Sequence, residues 1–374
     1  MEAFRCRPSR RNFLTGLAAL GAGAIIETGQ SSAQTAGNPR RIDVHHHFTP
    51  PAYLEFTRAN RQGPQIGRGA TKQGGNVGLG SAYTGWTLAE DLEDMDKSGT
   101  GTALLSITTP GFWFGKTDDI RRVMRECNEY AARLRSDHPG RFGSFASIYP
   151  PDTEGSLREI EYAMDKLNAD GIGLYSNYQD IWLGDASLDP VYAELNRRKA
   201  VVYVHPIEAR CCFNIVKDVP DTVVEYGADT TRTIASLILS GSTTRFPDIQ
   251  WIFSHAGGMM PFVIERFLSG AISEVVPGIP TKGQGSNSPR NVPKGVLYEL
   301  RKMYYDTAQA TNPVAMTALR TVVPVSQIVY GTDYWYRSAA ETAKGLTTNR
   351  VFNAEEMKAI NRGNAERILP RYRT

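Results

Sequence analysis

Ile42 to Pro50 reads IDVHHHFTP and carries three of the six histidines in the chain. Such a run either packs against neighbouring elements or offers imidazole nitrogens to a metal ion. Strand geometry separates the three, because successive side chains point to opposite sides. His45 and His47 can therefore share a face as candidate ligands, while His46 takes the other side as a packing or supporting residue. Three more polar side chains stand in comparable places. His205 follows Val201-Val202-Tyr203-Val204, His255 follows Trp251-Ile252-Phe253-Ser254, and Asp333 follows Ile328-Val329-Tyr330-Gly331-Thr332. A single histidine after a strand is ordinarily a turn residue. Four such histidines and an aspartate at strand ends point instead to a metal site. Imidazole and carboxylate together suit one borderline divalent cation, zinc first and manganese second. His138, in SDHPG ahead of a strand, belongs to the opposite end and reads as a turn residue.

The elements that must position these residues alternate. Strand-like runs are expected at 42–44, 102–107, 142–148, 171–175, 200–204, 250–254, 303–307 and 327–331, with helical periodicity between nearly all of them. Thr87-Leu88-Ala89-Glu90 has the spacing of a capping box, and Gly99 the place of a helix stop. A glycine-rich stretch from Gly63 to Gly80 and a Gly/Pro/Ser/Asn-rich stretch at 277–295 read as long loops. Eight β/α units in one domain imply a closed (β/α)8 barrel, an α/β fold, spanning residues 40–374. In an open sheet, strands one, five, six and eight would not converge; in a barrel their C-terminal ends do.

The chain has 374 residues, 41% hydrophobic and 22% charged, with a formal net charge of +3. Several arginines precede residue 42, so the remainder is near neutral and nothing calls for nucleic acid. Ser9-Arg10-Arg11-Asn12-Phe13-Leu14, then an apolar run to Ile26 and Ser31-Ser32-Ala33, is ordered like a twin-arginine export signal over residues 1–33. The expectation is a periplasmic or exported protein with no membrane span in its mature form, since the apolar run is too short to be one. Cys127, Cys211 and Cys212 make no disulfide framework and read as core or loop thiols.

The ordered set IDVHHHFTPP, VVYVHP, WIFSHAGG and VYGTDYW, covering essentially the whole mature chain, resembles the amidohydrolase-superfamily branch that contains aminocarboxymuconate-semialdehyde, γ-resorcylate and 6-methylsalicylate decarboxylases. The segment from Tyr178 to Pro206 is most similar to the 6-methylsalicylate subgroup. The resemblance implies His45, His47, His205 and Asp333 as metal ligands, and His255 with Asp333 as catalytic residues. Arg266 would contact a substrate carboxylate in the neighbouring subunit, which implies a homodimer or higher homo-oligomer; a helix-surface salt bridge is its other reading. Binuclear relatives place a bridging lysine after strand four, and Gly171-Ile172-Gly173-Leu174-Tyr175 has none, so one metal ion is expected.

A carboxy-lyase acting on a small aromatic or unsaturated carboxylic acid, salicylate-like, is the activity this implies. Aromatic residues after strands two, four and eight (Phe112 to Phe114; Tyr175, Tyr178, Trp182; Tyr334 to Tyr336) would line a flat pocket. Hydrolysis of a lactone or amide, hydration of an unsaturated acid, and binding without turnover are the rival readings, since the fold vetoes none of them.

Overall fold

Eight apolar segments pair as parallel strands in chain order: β1 (Arg41–His47), β2 (Thr100–Ser106), β3 (Phe142–Ser147), β4 (Gly171–Tyr175), β5 (Val201–His205), β6 (Gln250–Phe253), β7 (Tyr304–Asp306) and β8 (Ile328–Val329). The first strand also meets the last. Val44 N–H donates to the Tyr330 carbonyl at 3.0 Å, Asp333 N–H to the His45 carbonyl at 2.8 Å, and His47 N–H to the Tyr334 carbonyl at 3.0 Å. The sheet is thereby wrapped into a (β/α)8 barrel, and the expected architecture is observed. This computed structural model describes residues 39–60, 86–179, 181–212, 215–268 and 291–373. They fall within the second of two compact units, Asn38–Thr374. The export signal read at 1–33, the glycine-rich stretch from Gly63 to Gly80 and most of 277–295 lie outside the described residues.

Strand alternation sorts the apolar residues into two cores. Leu104, Phe145, Val201, Tyr203, Ile252, Tyr304 and Val329 face the barrel interior with Ile42 and Val44, above Ala365, Leu369 and Tyr372 from the C-terminal segment. Their neighbours Ala103, Leu105, Val202, Val204, Trp251, Phe253, Ile328 and Tyr330 face the helical layer. Burying both faces is what a parallel sheet requires, and it explains the near-continuous apolar runs in the sequence.

The helix from Leu88 to Ser98 starts and stops as its sequence predicts. The Thr87 hydroxyl accepts from Glu90 N–H, and Gly99 adopts φ 70°, a left-handed conformation that costs glycine nothing. An unexpected helix, Pro51–Ala59, follows β1 with proline in its first turn and buries Tyr53, Phe56 and Thr57. The proline at that position was its sequence signal. The cysteine reading needs correction: Cys211 and Cys212 are bonded to each other within the single turn Arg210–Cys212, which brings the adjacent sulfurs together, while Cys127 is a buried free thiol. No helix among the described residues is long and apolar enough to cross a membrane.

Candidate metal centre

The upper interior of the barrel is polar because several strands end in a buried polar residue: His47 on β1, Ser106 on β2, Ser147 on β3, His205 on β5 and Asp306 on β7. On β5 the series Val201, Tyr203, His205 continues inward without interruption. On β1 the same rule, applied from Ile42 and Val44, would turn His46 inward. The register slips between Asp43 and His46, however, and this bulge inverts the alternation. The Asp43 carboxylate braces the slip. Its Oδ1 accepts from His45 N–H at 3.0 Å and Thr332 N–H at 3.1 Å, and its Oδ2 from the Thr332 hydroxyl at 2.6 Å. His45 and His47 are thus aimed at the barrel axis, while His46 lies between Asp43 Oδ2 (3.0 Å) and Asp91 Oδ1 (2.8 Å), stacked on Tyr334.

The inward groups converge. His45 Nε2 and His47 Nε2 are 3.1 Å apart, and each faces Asp333 Oδ1, at 3.2 and 3.1 Å. The His205 ring is edge-on to both, with centroids at 5.1 and 4.8 Å. One donor atom from each of His45, His205, His255 and Asp333 also falls within a 4.8 Å cluster. The far nitrogens are occupied: His45 Nδ1 by Asp306 Oδ2 at 2.7 Å, His47 Nδ1 by the Ser106 carbonyl at 3.3 Å, and His205 Nδ1 by the Pro206 carbonyl at 2.7 Å. That pattern fixes each ring and turns its Nε2 lone pair inward. Asp333 Oδ1, buried at the centre, has no hydrogen-bond partner among the described residues. Bare acceptor nitrogens around an orphaned carboxylate oxygen are costly alone and fit a cation well.

The electrostatics agree. Burial holds His205 well below the usual imidazole range and, with the neighbouring His45, lowers His47, so both are neutral donors. Burial also opposes charge on His45, yet Asp306 and Asp333 outweigh it and raise this imidazole to about 10. The position draws positive charge, proton or metal. Asp333 stays well below the usual carboxylate range despite its burial, because His45, His255 and His47 surround it. His255 Nε2 lies 3.2 Å from Asp333 Oδ2, and its side chain is the more open of the two, 14% against 4%. Gln309 donates to the same oxygen. His255 and Asp333 both have positive φ, 52° and 64°, conformations that cost a side-chain-bearing residue energy and cluster at functional sites.

Sequence reasoning passed over Asp306 and Gln309. Asp306 ends β7 as His205 ends β5, so the rule that flagged one would have flagged the other; its carboxylate also accepts from His255 N–H at 2.8 Å. The aromatic expectation holds only in part. Phe112 and Phe114 pack with Tyr53 and Phe56 in the outer core, and Tyr175 donates to the Ile107 and Thr108 carbonyls. Trp335 and Tyr336 stack on each other and face His47, with centroids 6.3 and 6.2 Å from it. Tyr226, not anticipated, faces His205 at 6.1 Å. Arg266 sits exposed on the short helix Ile264–Phe267, with no ion pair among the described residues.

The amidohydrolase family profile matches residues 42–371, and the chain belongs to that family. Decarboxylase yanB of Aspergillus niger is 34% identical over 349 residues, covering 89% of this chain and 88% of that one. The 6-methylsalicylic acid decarboxylase of Penicillium expansum is 33% identical over 301 residues, covering 79% and 84%. A solved 5-carboxyvanillate decarboxylase from Novosphingobium aromaticivorans, complexed with manganese and 4-hydroxy-3-methoxy-5-nitrobenzoic acid, shares the fold with a TM-score of 0.74 at 19% identity, covering 88% and 96%.

Proposed function

We infer that this protein is a metal-dependent, non-oxidative decarboxylase, a carboxy-lyase, of a small aromatic carboxylic acid of the salicylate type. The observation that carries the reading is the inward cluster of His45, His47, His205 and Asp333 with the His255–Asp333 pair beside it, in a chain whose relatives are decarboxylases. The four ligands would hold one divalent cation, which when bound supplies positive charge for the phenol and carboxylate oxygens of the acid. Zinc is the choice the donor set favours, and manganese, carried by the fold neighbour, is the second.

The chain's own residues then have separable tasks. His255 Nε2, 3.2 Å from Asp333 Oδ2 and at the more open end of the pair, is the group this reading assigns to deliver a proton. The proton goes to the ring carbon bearing the carboxylate; the carbon–carbon bond then breaks, its electron pair returns to the ring and restores aromaticity, and CO2 leaves. Trp335 and Tyr336 offer a flat wall against which the ring lies. Arg266, unpaired among the described residues and one turn from Phe262, which is 59% exposed, is assigned to a partner subunit's substrate in a homodimer. The order of features in residues 1–33 supports export by the twin-arginine route to the periplasm.

Mass-spectrometric turnover of the metal-loaded protein on salicylates, dihydroxybenzoates, lactones and anilides tests this, with Asp333→Asn as the blank. CO2 release from an aromatic acid is the expected result. Gain of water on a lactone or amide would move the same site to the hydrolases.

A further inference from the structure

His45 has a carboxylate against its far nitrogen, whereas His205 Nδ1 donates to the carbonyl of Pro206. That carbonyl belongs to the same planar peptide unit as the N–H of Ile207, so whatever orients the N–H also aims the carbonyl at the imidazole. The Ile207 N–H donates to Ser176 Oγ at 3.1 Å. Ser176 stands just past the end of β4, where its own N–H donates to the His205 carbonyl at 2.9 Å. The next residue, Asn177, donates from Nδ2 to the Ile207 carbonyl at 3.0 Å. His205, Pro206 and Ile207 are thereby clamped onto Ser176 and Asn177.

Both clamping side chains end on one carboxylate. Asp229, buried on the helix Asp221–Leu239, accepts at Oδ2 from the Ser176 hydroxyl and from Asn177 Nδ2, the latter at 2.8 Å. Its Oδ1 accepts from Trp182 Nε1 at 2.8 Å and lies 3.6 Å from Arg232 Nη1. Each of these partners is a donor, since the Ser176 oxygen already accepts from Ile207 and sends its own hydrogen to Asp229. An amide in its place would turn an NH2 toward one of them. The result is a chain of hydrogen bonds from Asp229 to Ser176, to the 206–207 peptide and on to His205 Nδ1, in which each link polarises and fixes the next. Asp306 reaches His45 directly; Asp229 reaches His205 through a hydroxyl and a peptide.

We infer that Asp229 is a positioning residue for His205, the remote counterpart of Asp306 at His45: it holds the Pro206–Ile207 peptide so that His205 keeps its hydrogen on Nδ1 and presents Nε2 to a divalent cation. The inference rests on the reading of His205 as a metal ligand. Outer partners set the orientation and basicity of a ligating ring, and their loss typically lowers metal affinity by about 10–100-fold. A partner acting through a peptide belongs at the low end of that range.

Zinc affinity of the full chain, read by competition with a chelating dye, needs no turnover. Asp229→Asn and Ser176→Ala are each expected to weaken zinc binding by about tenfold, and the double variant by no more than about twofold beyond the weaker single, because both cut the same chain. Trp182→Phe is the control. It removes another hydrogen bond of the same carboxylate but leaves the chain to His205 intact, so zinc affinity should stay within about twofold of the wild type. In the metal-free protein the Ile207 amide should exchange at least about tenfold faster in Asp229→Asn and Ser176→Ala, with the amides of the barrel strands unchanged. Ser176→Ala, which cuts the chain while keeping the buried charge, decides the matter if Asp229→Asn does not fold. Unchanged zinc affinity in these variants overturns the inference, as do losses that multiply in the double variant. An equal loss in Trp182→Phe overturns it too, as the mark of a merely structural carboxylate. A wild type that binds no divalent ion removes the metal reading and the inference with it. Zinc binding that responds at Asp229, in a protein that releases no CO2 from any acid, keeps the inference and removes the decarboxylase.

Discussion

β1 and β5 each deliver metal-ligand candidates to one point, by different means. β5 does so by uninterrupted alternation: Val201 and Tyr203 fill the barrel and His205 follows them inward. β1 begins with the same alternation, then slips between Asp43 and His46, and the slip exchanges one inward histidine for two. Regular alternation already lets His45 and His47 share a face. The bulge turns that face inward although Ile42 and Val44 before it also point inward, and a buried carboxylate takes up the backbone N–H that the slip frees.

The comparison breaks most readily at the ligands. His205→Ala and His47→Ala are expected to lose bound metal and CO2 release alike, each by more than about a hundredfold, beyond the 10–100-fold typical of an outer partner. Metal analysis of His46→Ala beside them sharpens the point, since retention of metal is expected only if the bulge has turned that ring away. Asp306→Asn keeps every ligand but weakens the grip on His45 Nδ1, for an expected loss of about 10–100-fold in metal affinity, read by competition with a chelating dye.

Next in size is the brace. Asp43→Ala leaves the buried N–H groups of His45 and Thr332 unpaired and removes one partner of His46, an expected cost of about 2–4 kcal/mol in denaturant unfolding. A smaller, pH-dependent term follows from His46, which Asp91 and Asp43 raise from 6.5 to about 10 against the opposing effect of burial. A folded-state value above the unfolded one stabilises below the unfolded value. The stability advantage of the wild type over His46→Gln should therefore be complete below pH 6.5 and fade as pH rises through about 10, as thermal unfolding across that range would show. On β5, by contrast, Tyr203 has a buried hydroxyl with no partner among the described residues, while its ring packs on Phe145 and His45. Tyr203→Phe should shift stability by less than about 0.5 kcal/mol, because it removes no hydrogen bond.

Much of this was legible beforehand where period and position coincide. The β4 strand was read to the residue, and the helix after Thr87 was bounded by its cap and by Gly99. Legibility failed where backbone departs from period. The first strand was expected to end at Val44, and continues through His47 only because of its irregular register. Asp306 was missed for another reason: it looks like the polar end of a short strand, and its partner, His45, is remote in sequence.

By itself the sequence determined the (β/α)8 architecture and the set of polar residues available at the strand ends, because hydrophobic period and strand-end position are local properties written along the chain. Tertiary structure alone decided which side of β1 faces the axis and which nitrogen of each imidazole is free. Those outcomes depend on the closure of β8 onto β1 and on partners such as Asp306 and Thr332 that only the folded barrel brings within hydrogen-bonding distance.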